Sequence, residues 1–172
     1  MTKILVAGIG NELFGDDGFG IAVVERLCAG SLEETSRQRG VELRLMNAGT
    51  RGFDLVSALL DGCDAAILID AAPRGRPPGT LYVLDPSEDA PNLEPGLDLS
   101  IDPHRLEPAR ALSLARATGA ALSRVRVVAC EPSPALEMSD QLSTAVRAAI
   151  EPALSEVERL VAELSRPELA DA

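Results

Sequence analysis

Apolar and polar positions in this chain follow two periods, and the pattern switches between them repeatedly. Residues 3–8 carry the run Ile4, Leu5, Val6, Ala7 and stop at Gly8, as expected of a strand buried on both faces. A glycine-punctuated loop fills residues 8–18. From about residue 17 to residue 27, Ile21, Val24, Leu27 and Cys28 recur at helical spacing, with acids at the start. Val41, Leu43 and Leu45 alternate with Glu42 and Arg44, which predicts a half-exposed strand. Residues 51–60 predict a helix with Phe53, Val56 and Leu60 on one side. Residues 65–69 are a second fully apolar strand, ending on Asp70. Residues 73–78 form a basic turn, and 79–84 a further strand. Helical composition returns over 105–117, and 124–130 predict the last strand. Over residues 140–164 the stripe Leu142, Val146, Ala149, Ala153, Val157, Leu160 and Leu164 stays in register across Pro152. One kinked helix or two abutting helices are expected there.

Strands alternating with helices predict an α/β fold: a three-layer α/β/α sandwich on a mostly parallel sheet of about five strands. The length, 172 residues, fits a single domain over residues 1–172, with the last few residues expected to be disordered. Residues 86–103 resist assignment, being rich in proline and acids with little periodicity. A long structureless segment inside a compact domain is often functional, and this one ends directly before His104.

Composition narrows the function. The aromatic residues are Phe14, Phe19, Phe53 and Tyr82, so the core must come from Ala, Leu, Val and Ile. A net charge of −11 argues against nucleic-acid binding, which needs a basic surface. Lys3 is the only lysine, so no P-loop-type lysine follows the first strand. Cys28, Cys63 and Cys130 are odd in number and widely spaced, which points to free thiols in a reducing, cytoplasmic compartment. No apolar run approaches the roughly 18 residues needed to span a bilayer, and residues 4–9 are too short for a signal peptide. A monomer without membrane or nucleic-acid partners is expected.

In open α/β sheets, ligands bind at the carboxyl ends of the strands. Three features converge there: the loop Gly8-Ile9-Gly10-Asn11-Glu12-Leu13-Phe14-Gly15-Asp16-Asp17-Gly18, the strand-end Asp70, and His104, the single histidine. Two carboxylates and an imidazole suit a borderline divalent metal such as nickel or zinc. Each has a plainer role open to it. Asp16 or Asp17 can cap a helix, Asp70 can form a turn, and a lone histidine can be a surface residue. The loop falls short of a dinucleotide fingerprint, because Leu13 stands where the third glycine belongs and two aspartates occupy the phosphate position. No G-x-S-x-G elbow occurs. Cys63 and Cys130 sit in or beside apolar strands and read as core residues.

These residues resemble the hydrogenase maturation endopeptidases. Gly8, Gly10, Asn11, Leu13, Asp16 and Asp17, followed by Gly18 and Gly20, match a G-x-G-N-x-L-x-x-D-D/E-x-x-G pattern. Asn47-Ala48-Gly49-Thr50-Arg51-Gly52 is similar to the family's D-G-G-T-x-G turn, departing from it at Asn47 and Ala48. Asp70-Ala71, Pro78-Gly79-Thr80, Ser100-Ile101-Asp102-Pro103-His104, Glu131-Pro132 and Ile150-Glu151-Pro152-Ala153 follow in order. The resemblance implies a cytoplasmic endopeptidase that removes the C-terminal extension of a NiFe-hydrogenase large-subunit precursor. It implies metal contacts and catalysis by Asp17, Asp70 and His104, with Gly8, Gly10, Asn11, Asp16, Gly49, Thr50 and Gly52 forming the surrounding loops. Nickel would come with the substrate, other divalent metals could substitute, and no permanent organic cofactor is implied. A non-enzymatic metal-binding maturation chaperone and a nucleotide-dependent enzyme on a Rossmann-like sheet are the competing readings.

Overall fold

A computed structural model describes residues 1–86, 108–120, 124–134 and 138–166. Most of the segment 86–103, His104 and the last few residues lie outside the described residues. Among the described residues five strands form one sheet: β1 (Thr2–Ile9), β2 (Val41–Gly49), β3 (Ala65–Ala71), β4 (Leu81–Leu84) and β5 (Val125–Cys130), in the order β2-β1-β3-β5-β4. β1, β2, β3 and β5 run parallel, and β4 pairs antiparallel with β5 at the edge. The expected α/β sandwich on a mostly parallel sheet is the observed architecture.

Alternation along the strands builds the three layers, because successive side chains point to opposite faces. Ile4, Val6, Ile67 and Ile69 pack on one face with α1 (Phe19–Cys28) and α6 (Ile150–Leu164). Leu5, Ala7, Ala66 and Leu68 pack on the other with α3 (Gly52–Leu60) and α4 (Pro108–Ala117). β1 and β3 are fully covered, which explains their unbroken apolar sequence.

The stripe over 140–164 resolves into two abutting helices, α5 (Thr144–Ala148) and α6, joined at Ala149. Pro152 lies in the first turn of α6, where a missing N–H costs little. The helix therefore breaks before the proline rather than kinking at it. In α3 the structure corrects the expected face. Leu55, Val56, Ala58 and Leu59 are buried, while Phe53 and Leu60 are 52% and 44% exposed. Phe53 and Asp54 both stand in the first turn of α3 and are exposed. The helix α2 (Leu32–Gln38) carries no apolar stripe, since only Ser36 is buried, and its periodicity is not legible in the sequence.

Parallel strands place the ends of β1, β2, β3 and β5 at one edge. Because β4 runs antiparallel, its first residue Leu81 pairs with Cys130 at that same edge. The turn between β3 and β4 therefore stays beside the carboxyl ends.

Candidate active site at the carboxyl edge

The loop after β1 closes on itself. Gly10 has φ +125°, and a Cβ there would lie 1.8 Å from the carbonyl oxygen of Asp17, so only glycine fits. The Asn11 N–H donates to Asp17 Oδ2 at 2.8 Å. Asn11 Oδ1 accepts from Leu13 N–H at 3.0 Å, and its carbonyl accepts from Phe14 N–H at 3.1 Å. A 3-10 turn, Gly15–Gly18, leads into α1. Gly20, in the first turn of α1, packs backbone on backbone: a Cβ there would be 2.1 Å from the Ile69 carbonyl oxygen. Ile69 precedes Asp70, so this contact brings the Asp17 turn to the end of β3. Asp70 is half-buried, with its Oδ1 accepting the Ala71 N–H at 2.9 Å.

The neighbouring loop after β2 joins this edge through the Gly10 N–H, which donates to the Gly49 carbonyl at 3.1 Å. Thr50 is exposed next to it, and Gly52 opens α3. Gly8 pairs with Asn47 on one side and Ile69 on the other, at the centre of the edge. The candidates Gly8, Gly10, Asn11, Asp17, Gly49, Thr50, Gly52 and Asp70 thus gather at one place. Among the described residues, no group of three or more His, Cys, Asp or Glu forms a metal-binding cluster.

Asp16 does something different from its neighbour. It is 6% exposed and accepts two backbone N–H groups, from Ser133 at 2.8 Å and from Ser143 at 2.6 Å. Burial alone would raise its pKa, but the amides of Ser133 and Ser143 reverse that and hold it below the ordinary carboxylate value. Ser143 is itself the N-cap of α5, with its hydroxyl accepting from Val146 N–H. Asp16 therefore ties the 3-10 turn to the segment after β5. That segment pairs with the first loop through Gly15 N–H to the Ser139 carbonyl (2.7 Å) and Ser139 N–H to the Leu13 carbonyl (3.0 Å).

A second braced carboxylate, Glu131, directly follows β5 and is buried. It accepts the Tyr82 hydroxyl at 2.6 Å and the N–H groups of Arg74 (2.8 Å) and Gly75 (3.0 Å). The Tyr82 hydrogen bond, with the amides of residues 74–76, holds its pKa below the usual range despite burial. In the sequence Glu131 stands out only within the Glu131-Pro132 pair. The signal was available, since an acid closing an apolar strand is the same pattern that marks Asp70.

Leu13, Phe14 and Met138 are 60%, 42% and 78% exposed on the paired segments beside Asp17. A cavity of about 520 Å³, lined by Leu27, Leu32, Val41, Leu154 and Val161, opens at the opposite end of the sheet and holds none of the candidate residues. Cys28, Cys63 and Cys130 are all free thiols. Cys130 is buried, and burial, with Asp16 and Glu131 nearby, pushes its pKa up to about 12. It is unsuited to act as a nucleophile.

Residues 21–160 match the family model described as hydrogenase maturation protease. The chain is 35% identical over 174 residues to the hydrogenase expression/formation protein HupM of Azotobacter chroococcum mcd 1, covering 99% of this chain and 78% of that one. It is 33% identical over 159 residues to the hydrogenase 2 maturation protease of Escherichia coli (strain K12), covering 90% and 88%. The fold superposes on the hydrogenase maturating endopeptidase HybD from E. coli with a TM-score of 0.72 and 28% identity, over 95% and 94% of the two chains.

Proposed function

Because the chain belongs to the hydrogenase maturation proteases, and is therefore a peptidase, we propose that it removes the C-terminal extension of a nickel-loaded NiFe-hydrogenase large-subunit precursor. The observation that carries this reading is the juxtaposition made by Gly20: its backbone contact with Ile69 sets the Asp17 turn against Asp70 at the carboxyl edge. Carboxylate oxygens suit a borderline divalent cation brought in by the substrate. One carboxylate then acts as general base toward water near the scissile carbonyl, while the substrate's metal polarises that carbonyl. His104 supplies the third contact in this proposal. Nickel is part of the substrate here, another divalent metal can take its place, and no organic cofactor takes part. The apolar rim of Leu13, Phe14 and Met138 fits a substrate that is a protein surface.

The enzyme works as a monomer in the cytoplasm in this reading. Among the described residues no helix is long and apolar enough to cross a membrane. The test is incubation of nickel-loaded precursor with the wild-type chain and with Asp17→Asn, Asp70→Asn and His104→Ala variants, read by mass spectrometry. Wild-type enzyme should shorten the precursor, and each variant should lose at least about 100-fold in rate, the scale of general acid–base catalysis. Unchanged precursor mass with nickel transferred to the wild-type protein would establish a metal chaperone instead. Full activity of all three variants would refute the site.

A further inference from the structure

The turn between β3 and β4 is a basic arm beside the carboxyl edge that carries Asp16, Asp17 and Asp70. It begins three residues after Asp70 and carries Arg74 and Arg76, both exposed. Its backbone is fixed from below. The amides of Arg74 and Gly75 close on the Glu131 carboxylate, and Gly79 N–H donates to the Glu131 carbonyl at 2.8 Å. Gly79 has φ +84°, and a Cβ there would come within 2.6 Å of the Ala145 carbonyl oxygen, so the arm also rests on α5. Such a concave run of amides around an anion is a nest.

The nest has a consequence for the side chains. The chain commonly spends its arginines on its own acids, as in Arg26–Glu151 (2.6 Å), Arg44–Asp61 (3.1 Å), Arg126–Asp85 (2.7 Å) and Arg159–Glu156 (2.6 Å). At Glu131 the backbone and Tyr82 satisfy the carboxylate instead. Neither the Arg74 nor the Arg76 guanidinium forms an ion pair with a described residue. Two permanently charged side chains are thus exposed on a braced turn, a few residues from the candidate catalytic Asp70.

We propose that Arg74 and Arg76 are specificity-determining docking residues that pair with side-chain carboxylates of an acidic segment on the protein substrate. The inference rests on the peptidase reading above. A surface of net charge −11 attracts a basic partner in many orientations. A local positive arm admits only the orientation that sets an acidic segment beside β3, because like charges facing each other across an interface are disfavoured. The arm therefore fixes which way the precursor lies across Asp17 and Asp70.

The experiment compares the wild-type chain with Arg74→Glu/Arg76→Glu and Arg74→Lys/Arg76→Lys double variants on the nickel-loaded precursor. Cleavage rates and binding to uncleaved precursor are measured at several salt concentrations. Charge reversal should lower kcat/KM by about tenfold or more at low salt, mainly through KM, and the gap should shrink as salt screens the pairs. The lysine variant should stay within a few fold of wild type. Lysine substitutions at acidic surface positions of the precursor should rescue the reversed arm at one segment. Equal kcat/KM and equal salt dependence in the reversed variant would overturn the arm while leaving the peptidase reading intact. If wild-type enzyme binds but does not cleave the precursor, the peptidase reading falls. The arm is then judged by binding alone: a loss on reversal supports it and equal binding refutes it. No binding by the wild-type chain overturns both.

Discussion

Replacing Asp16 tests how the carboxyl edge is held together. The carboxylate is 6% exposed and accepts two amide N–H groups, at 2.8 and 2.6 Å, from residues 117 and 127 positions away in sequence. A hydrogen bond to a charged group contributes roughly 1.5–3 kcal/mol. The two donors, Ser133 and Ser143, are only half-buried, so water partly replaces the lost acceptor in a variant. The lower end of the range is therefore appropriate, and Asp16→Ala should destabilise by about 3 kcal/mol in total. Asp16→Asn keeps one acceptor oxygen but turns its NH₂ toward the other amide, so it should cost nearly as much. The pH dependence follows from linkage. The folded-state pKa lies below the ordinary 3.8, so the unfolded chain binds the proton more readily. The stabilisation is fully present above that ordinary value and is lost as pH falls through the lower, folded-state value. Urea unfolding followed by circular dichroism at pH 7, 5 and 3 measures it. The wild-type advantage over Asp16→Asn should be constant from pH 7 to 5 and narrow toward pH 3. A variant within about 0.5 kcal/mol of wild type at pH 7, the size of an ordinary surface substitution, would refute the brace.

Three further outcomes are expected. Tyr82→Phe removes the leading cause of the depressed Glu131 pKa, so it should lower Tm at neutral pH, and the wild-type advantage should narrow as pH falls below the ordinary 4.5, visible in a thermal-melt series from pH 7 to pH 3. A thiol reagent at neutral pH should label Cys28, which is exposed, and leave Cys130 unmodified until the protein unfolds, as resolved by peptide mass mapping. Gly20→Ala forces a Cβ against the Ile69 carbonyl; it should lower stability by roughly 2–3 kcal/mol and impair cleavage more than a surface Gly30→Ala control, where the nearest contact is 3.4 Å.

Much of this protein is legible along the chain, because burial on both faces forces continuous apolar strands. Residues 3–8 and 65–69 show that signature, and so the sheet, its layers and the strand-end position of Asp70 follow from sequence. The glycines Gly8, Gly10 and Gly20 stand out in the sequence too, and at each a Cβ would lie within 2.2 Å of a backbone carbonyl oxygen. The tertiary structure alone decided how neighbouring acids divide their work. Asp16 and Asp17 are adjacent and chemically identical, yet Asp16 turns inward to Ser133 and Ser143 while Asp17 closes on Asn11. Their partners are set by which distant segments the sheet order brings alongside, and no local pattern encodes that. The same holds for Phe53 and Leu60, apolar by type but left exposed because α3 buries Leu55, Val56 and Leu59 instead. It holds again for Arg74 and Arg76. Their sequence announces a basic turn, but the antiparallel return of β4 keeps that turn beside Asp70, and the amide nest on Glu131 leaves both side chains exposed. Periodicity determines the elements, since it depends only on near neighbours. The chemistry of the edge depends on contacts made across the whole chain.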